Sequence, residues 1–350
     1  MDLSVLNGYL NKKVEDGVPG CEVMVARDHE ILFHAGAGNA KPGTRYFLYS
    51  CTKPVTAAAG MIAMEQKLFS LDDPVGQYLP AFFENAAWKT ATVRHLFTMT
   101  AGFNYRFDTP ALRDLPEDAT TVAFAEALAS AAPDFTPGTR FQYSLCHDVL
   151  AAVIEKTSGM TFGAFCQKYI FDPLGMTDTS FYLPGADTTG IAPLYRYDAK
   201  ARRVVRNEVQ YPDHVRSSGH YSGGAGLVST MADYLKFADA LACGGEPILK
   251  SASIDCMRTE QLTALNAAAD FGCTCGPDYG YGLGVRTRIK TEHGVPGPLG
   301  EFGWDGAAGA DILIDPENRL SIVYAQHVLN WPDMGDIPHL VIRDILYRAL

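Results

Sequence analysis

Tyr49-Ser50-Cys51-Thr52-Lys53 lies where one sequence pattern gives way to another. Just before it, Thr44–Tyr49 reads as a short strand. From Thr52 to Lys67 the apolar residues Ala57, Ala58, Ala59, Met61, Ile62 and Met64 recur as a helix. Ser50 therefore falls at a helix N-terminus, where free N–H groups and the dipole favour negative charge. Lys53, one turn on, projects from the same face. Held among apolar neighbours, its ammonium form is disfavoured by desolvation, as a general base requires. Of the fourteen serines, Ser50 alone has a lysine three residues on. Chance supplies such a pair in a chain of this length, and the same residues also read as an N-cap and a solvated lysine. Against that plainer reading, a first-turn lysine is poorly placed in the helix dipole.

Working outward, Cys21–Arg27 alternates as a strand, Asp28-His29-Glu30 turns, and Ile31–Ala35 returns as the second arm of a hairpin. The stretch from about 70 to 185 is mostly helix and loop, with helices expected at Val122–Ala132, Cys146–Ser158 and Phe162–Phe171. Strands come back at Leu283–Ile289, Ala310–Ile314 and Leu320–Gln326, and an apolar helix, Pro338–Leu350, ends the chain. The expected fold class is α+β: an antiparallel sheet built from both termini (1–69 and 186–350), flanked by helices, with a mostly helical domain (70–185) inserted.

At 350 residues, 47% hydrophobic and 20% charged, the composition is globular and excludes collagen, a heptad rod and a wholly disordered chain. The net charge of -11 opposes a phosphate backbone, so no nucleic-acid partner is expected. Met1 to Gly17 carries Leu3, Leu6, Leu10 and Val14 at helical spacing among polar residues, unlike a secretory signal. No run of eighteen apolar residues suggests a membrane span. The eight cysteines, including Cys273 and Cys275, are scattered and form no zinc-spaced set. Reduced thiols in a cytoplasmic protein are expected, with no metal and no cofactor. There is no Gly-x-Ser-x-Gly elbow, phosphate loop or His-Glu-x-x-His.

The opening stretch, with Leu71-Asp72-Asp73-Pro74-Val75-Gly76-Gln77-Tyr78-Leu79-Pro80, resembles the serine beta-lactamase-related superfamily. That group comprises class C beta-lactamases, DD-peptidases, D-aminopeptidases and family VIII esterases. The likeness continues in order through Val93–Gly102, Phe141-Gln142-Tyr143-Ser144, Pro173-Leu174-Gly175-Met176, Ser222–Thr230 and Phe302-Gly303-Trp304-Asp305-Gly306. It implies a beta-lactamase/transpeptidase-like fold and an acyl-enzyme on Ser50, with Lys53 as proton acceptor and Tyr143 relaying the proton to the leaving group. Lys53 and Tyr143 would titrate together, so the base stays unassigned between them. The N–H groups of Ser50 and Ala307 would form the oxyanion hole.

Two positions depart from the family pattern. Leu145 stands where Tyr-x-Asn has its amide, and Trp304 where Lys-Thr-Gly has its cation. Both favour a carboxylesterase for small esters over a beta-lactamase. A D-amino-acid peptidase or amidase, a weak beta-lactamase, and a non-catalytic binding protein that keeps the fold are the alternatives. Trp304, Asp305, Gly306, Leu145 and His220 are candidate substrate-binding residues. Asp305 either turns away to an arginine or selects cationic substrates. His147 reads as a helix-start polar residue beside Asp148 or as a substitute base, and Cys51 and Cys146 raise a weaker Cys/His reading. Arg106, Asp108 and Arg113 lie in an irregular stretch, Asn104–Asp118, placed to cover the site.

Overall fold

The computed structural model describes residues 3–106, 109–212, 215, 217–263, 277–292, 296–332 and 338–349. Asp108, Cys273 and Cys275 lie outside the described residues. A seven-stranded sheet, antiparallel throughout, runs in the order Glu30–Gly38, Gly20–Arg27, Leu320–Ala325, Asp311–Asp315, Phe302–Asp305, Arg286–Arg288, Tyr279–Tyr281. The N-terminal hairpin thus joins strands from the far end of the chain, with Glu22 opposite Ala325 and Val23 opposite Tyr324.

Side chains alternate across the sheet, which sorts the core into two layers. Val23, Val25, Leu313, Ile322 and Tyr324 pack under the terminal helices Val5–Glu15 and Pro338–Ala349, with Leu6, Leu10, Ile342 and Leu346. Met24, Ala26, Ile312, Ile314 and Val323 face the other way, into the core shared with the helices Thr52–Glu65 and Met231–Ala242. The central strands are buried along their whole length, whereas Glu30–Gly38 alternates exposed and half-buried positions as an edge strand does.

The helix Thr52–Glu65 is buried on nearly every side and packs on the helix Cys146–Ser158. Its alanines and Gly60 allow that approach: a Cβ on Gly60 would lie 2.4 Å from the Phe97 ring. Cys146–Ser158 ends where the pattern predicts, at Gly159, whose φ of 70° caps the helix in the left-handed region. Residues 70–185 contribute helices and, among those described, the short strand Ser180–Phe181.

Several elements differ from the sequence expectation. Leu283–Ile289 is a strand only over Arg286–Arg288, because the chain turns through Gly284 at φ 83°. Phe162–Phe171 is an α-helix to Cys166 and then a π-helical turn. The strands Tyr195–Asp198, Arg203–Arg206, Leu227–Thr230 and Tyr279–Tyr281 were not expected: each has four residues or fewer, too short to show a period. Among the described residues no single helix is long and apolar enough to cross a membrane.

Candidate active site

Three short pieces of backbone converge on Ser50. The strand Arg45–Phe47 pairs antiparallel with Leu227–Thr230, and Leu48 N–H donates to the Leu227 carbonyl at 2.9 Å. This lays the 222–226 loop alongside the residues that precede Ser50. The turn after Phe302–Asp305 closes on the same residues from another strand. Gly306 is required there, because a Cβ would lie 2.2 Å from the Leu48 carbonyl oxygen. Tyr49 sits at φ 48°, a left-handed conformation that costs a non-glycine residue about 1 kcal/mol or more and marks strain at the position before Ser50.

Ser50 and Tyr143 line a cavity of about 800 Å³ with Tyr49, Tyr105, Ala225 and Ala307. Its outer wall is polar, with Arg196, Asn207, Glu208 and Asn330, alongside Val209, Tyr211 and Leu329. Lys53 Nζ lies 3.1 Å from Ser50 Oγ and donates to the Gly224 carbonyl at 2.8 Å. The side chain has no solvent exposure, and its amine stands 4.5 Å from the centre of the Tyr143 ring. Burial lowers its pKa to about 7 against the opposing pull of Asp148, so near neutrality the amine is partly free to accept a proton.

Tyr143 accepts a hydrogen bond at 3.0 Å from the Trp304 indole N–H. Burial raises the phenol's pKa more than its bonds with Ser50 and Trp304 lower it, so it stays protonated and able to donate. The N–H of Ala307 donates to no backbone carbonyl among the described residues. A serine oxygen, an adjacent buried amine, a protonated phenol and a backbone N–H with no backbone acceptor among the described residues are groups of the kind that acyl transfer uses.

The model of the family described as Beta-lactamase matches residues 6–346. The chain belongs to the Beta-lactamase family. Esterase EstB of Burkholderia gladioli is 28% identical over 369 residues, covering 94% of this chain and 90% of that protein. Lovastatin esterase of Penicillium rubens is 28% identical over 340 residues, covering 83% and 81%. The solved structure of EstCE1, a hydrolase with promiscuous acyltransferase activity, superposes with a TM-score of 0.82 at 27% identity, covering 98% of this chain and 97% of that one. The fold is the α+β beta-lactamase/transpeptidase-like fold, and the protein is a serine hydrolase of this Beta-lactamase family.

Other residues singled out in the sequence fall elsewhere. Leu145 is 2% exposed in the apolar core and does not line the cavity. His220 is buried too; it stacks on Phe124 at 4.0 Å, approaches Asp148 at 3.4 Å and lines a separate cavity of about 210 Å³ with Arg113. It leaves the wall because its ring is held on Phe124 and beside the buried Asp148. Asp305 turns across the sheet to the buried Arg286, Nη1 to Oδ1 at 2.8 Å, and does not line the cavity. Trp304 does not line the cavity and bonds Tyr143, while Gly306 contributes its close backbone contact.

His147 neither caps its helix nor reaches the cavity. It is wholly buried with Nε2 against Gly284, and burial drops its pKa to about 3, leaving it neutral. Burial also pushes the Cys51 thiol well up and the Cys146 thiol to about 11, so both stay protonated. Arg106 pairs with Asp134 on the surface. Tyr105, from the same irregular stretch, lines the cavity and was not singled out, since a tyrosine in a loop has no telling period. The hairpin residues Arg196 and Glu208 were missed for the same reason. Asp148, read only as a helix-start residue, has its carboxylate fully buried. Among the described residues His29, Asp239 and Cys243 bring donor atoms within 4.8 Å of one another, outside the cavity; the His29 ring already bonds Asp239 at 2.7 Å.

Proposed function

We propose that the protein is a carboxylesterase acting on small esters through an acyl-enzyme on Ser50. The observation that carries this reading is the 3.1 Å approach of the buried Lys53 amine to Ser50 Oγ. Lys53 takes the serine proton as Oγ attacks the ester carbonyl. The charge that develops on the carbonyl oxygen is met by the N–H groups of Ser50 and Ala307. Collapse of the adduct breaks the bond to the alcohol oxygen, which receives its proton from Lys53 through the Tyr143 hydroxyl. Water then attacks the acyl-serine by the same route in reverse.

The preference for esters rests on what stands at two family positions. Trp304 is a buried indole whose N–H is engaged by Tyr143, so no cation is offered there to a substrate carboxylate. Leu145 is core and offers no amide to a scissile peptide. The esterases among the relatives point the same way.

A fluorophosphonate probe should label the wild type and leave Ser50→Ala unlabelled; labelling that survives the substitution rules out Ser50 as the nucleophile. Turnover of p-nitrophenyl butyrate should exceed that of D-alanyl-p-nitroanilide and of a chromogenic cephalosporin. Dominant cephalosporin turnover overturns the ester preference.

A further inference from the structure

Asp148 is 2% exposed and lines none of the wall around Ser50. A buried carboxylate is costly unless its oxygens find donors, and here they do. The Ser222 hydroxyl donates to Oδ1 at 2.7 Å and the Gly224 N–H at 3.4 Å, while His220 Nε2 lies 3.4 Å away. Glycines make this contact possible: a Cβ on Gly224 would lie 2.5 Å from Asp148 Oδ2, and one on Gly223 2.4 Å from the His147 carbonyl oxygen. The same loop holds the first turn of the helix Thr52–Glu65. Lys53 donates to the Gly224 carbonyl at 2.8 Å, Thr56 to the Gly223 carbonyl at 2.7 Å, and Thr52 Oγ1 accepts from the Leu227 N–H at 3.0 Å. One carboxylate grips the loop from one side, and the loop grips the lysine from the other.

We propose that Asp148 is the positioning residue for the lysine base: it anchors the 222–224 backbone from which Lys53 hangs, and its charge balances the ammonium that Lys53 becomes. The proposal rests on the acyl-enzyme reading above. In that step the bond from Ser50 Oγ to the carbonyl carbon forms, the carbonyl π pair moves onto oxygen, and the proton passes from Oγ to Nζ. A positive charge then appears on a side chain with no exposure to water, where it is expensive without an opposite charge close by.

Asp148 is the foremost of the groups that favour the charged lysine, ahead of Asp305, while the nearby Cys51 and Cys146 thiols stay protonated and neutral. Tyr105 and Tyr143 face the amine with their rings. His147 beside Asp148 is neutral. Burial pushes the Asp148 pKa up, but the nearby His220 and the bond from Ser222 bring it down to about 2, so the counter-charge persists wherever the enzyme works.

Asp148→Asn keeps the shape and removes the charge. With p-nitrophenyl butyrate, the acid limb of kcat/KM should move to lower pH by about one unit, because the ammonium has lost its partner. The bonds from Ser222 and Gly224 lose their charge assistance, so the loop holds Lys53 less firmly and kcat should fall as well, on the order of 100-fold. An acid limb that coincides with the wild type overturns the proposal, since a merely structural residue would not move it. Ser222→Ala is the second variant, informative even if Asp148→Asn does not fold. It keeps the carboxylate and cuts one tie, so kcat should fall with the acid limb in place; wild-type kcat in Ser222→Ala overturns the anchoring. A wild type that neither hydrolyses the ester nor takes up a fluorophosphonate marks the failure of the acyl-enzyme reading instead.

Discussion

The Trp304 indole N–H donates to the Tyr143 hydroxyl oxygen at 3.0 Å, with the two rings tilted by 32° and 5.4 Å between centres. The bond fixes the phenol oxygen and leaves its proton to point elsewhere. In the proposed mechanism that proton goes to the leaving alcohol. Trp304→Phe keeps an aromatic ring in the strand and deletes the donor. A net loss near one hydrogen bond lowers kcat for p-nitrophenyl butyrate by roughly fivefold to tenfold, with KM little changed. Steady-state kinetics on the two proteins check this.

Activity should follow the charge on Lys53. With the amine held at about 7, kcat/KM should rise with pH through neutrality and level off above it, because only the free amine accepts the Ser50 proton. Lys53→Arg, which stays charged at every working pH, should be inactive at all of them. A pH–rate profile from 5 to 9 that is flat for the wild type would exclude Lys53 as the proton acceptor.

The same lysine should cost stability. Its pKa is lowered on folding from 10.5 to about 7, so the unfolded chain binds the proton more tightly. The penalty is complete below about pH 7 and fades as the pH rises toward 10.5. Lys53→Met removes the buried amine and leaves the Gly224 carbonyl without that donor, so the gain is partial. At pH 6 the variant should unfold a few degrees above the wild type, at about 2 °C per kcal/mol, and the gap should narrow by pH 9. Thermal melts at both pH values test the sign.

Legibility followed range in the chain. Cys146–Ser158 and the N-terminal hairpin were readable because their patterns are local: an unbroken helical run closed by glycine, and alternation around a turn. Ser50, Lys53 and Tyr143 stood out in the sequence, and the fold brings them together at one cavity. The rest depends on pairing between distant segments. Whether Asp305 faces the cavity or Arg286 is set by the register of two strands, Gly303 opposite Arg286, which no nearby residue announces. His220 was misplaced because its neighbours in sequence say nothing of Phe124 and Asp148, its neighbours in space.

The Arg286–Asp305 pair should behave asymmetrically. The Asp305 carboxylate is 51% exposed and Arg286 only 1%. Asp305→Asn should therefore leave turnover of a neutral ester within about twofold, and should not change the ratio between a cationic and a neutral acyl ester. Arg286→Ala strips the charge facing Asp311, which lies 3.5 Å away and is itself buried. Burial already raises the Asp311 carboxyl to about 8, so what is lost is its buried donor, and the fold should be destabilised by about 1–3 kcal/mol. Urea unfolding of both variants, with the two-ester comparison, separates a structural ion pair from a selector of cations.

Gly223 is the most confined residue of the loop that carries the lysine contacts. A Cβ there would sit 2.4 Å from the His147 carbonyl oxygen and 2.9 Å from the Ala151 Cβ, both on the helix Cys146–Ser158. Neither is the end of a flexible side chain, so the helix or the loop must move. The Thr56 hydroxyl bond to the Gly223 carbonyl, 2.7 Å long, ties that movement to the helix bearing Lys53. Gly223→Ala should thus lose about 1–3 kcal/mol of stability and, through a displacement of order 1 Å at the amine, on the order of 100-fold in kcat. Fluorophosphonate labelling should slow in parallel with kcat, because both need the same Ser50–Lys53 distance. A variant less stable by this amount but labelled at the wild-type rate would detach the loop from the chemistry.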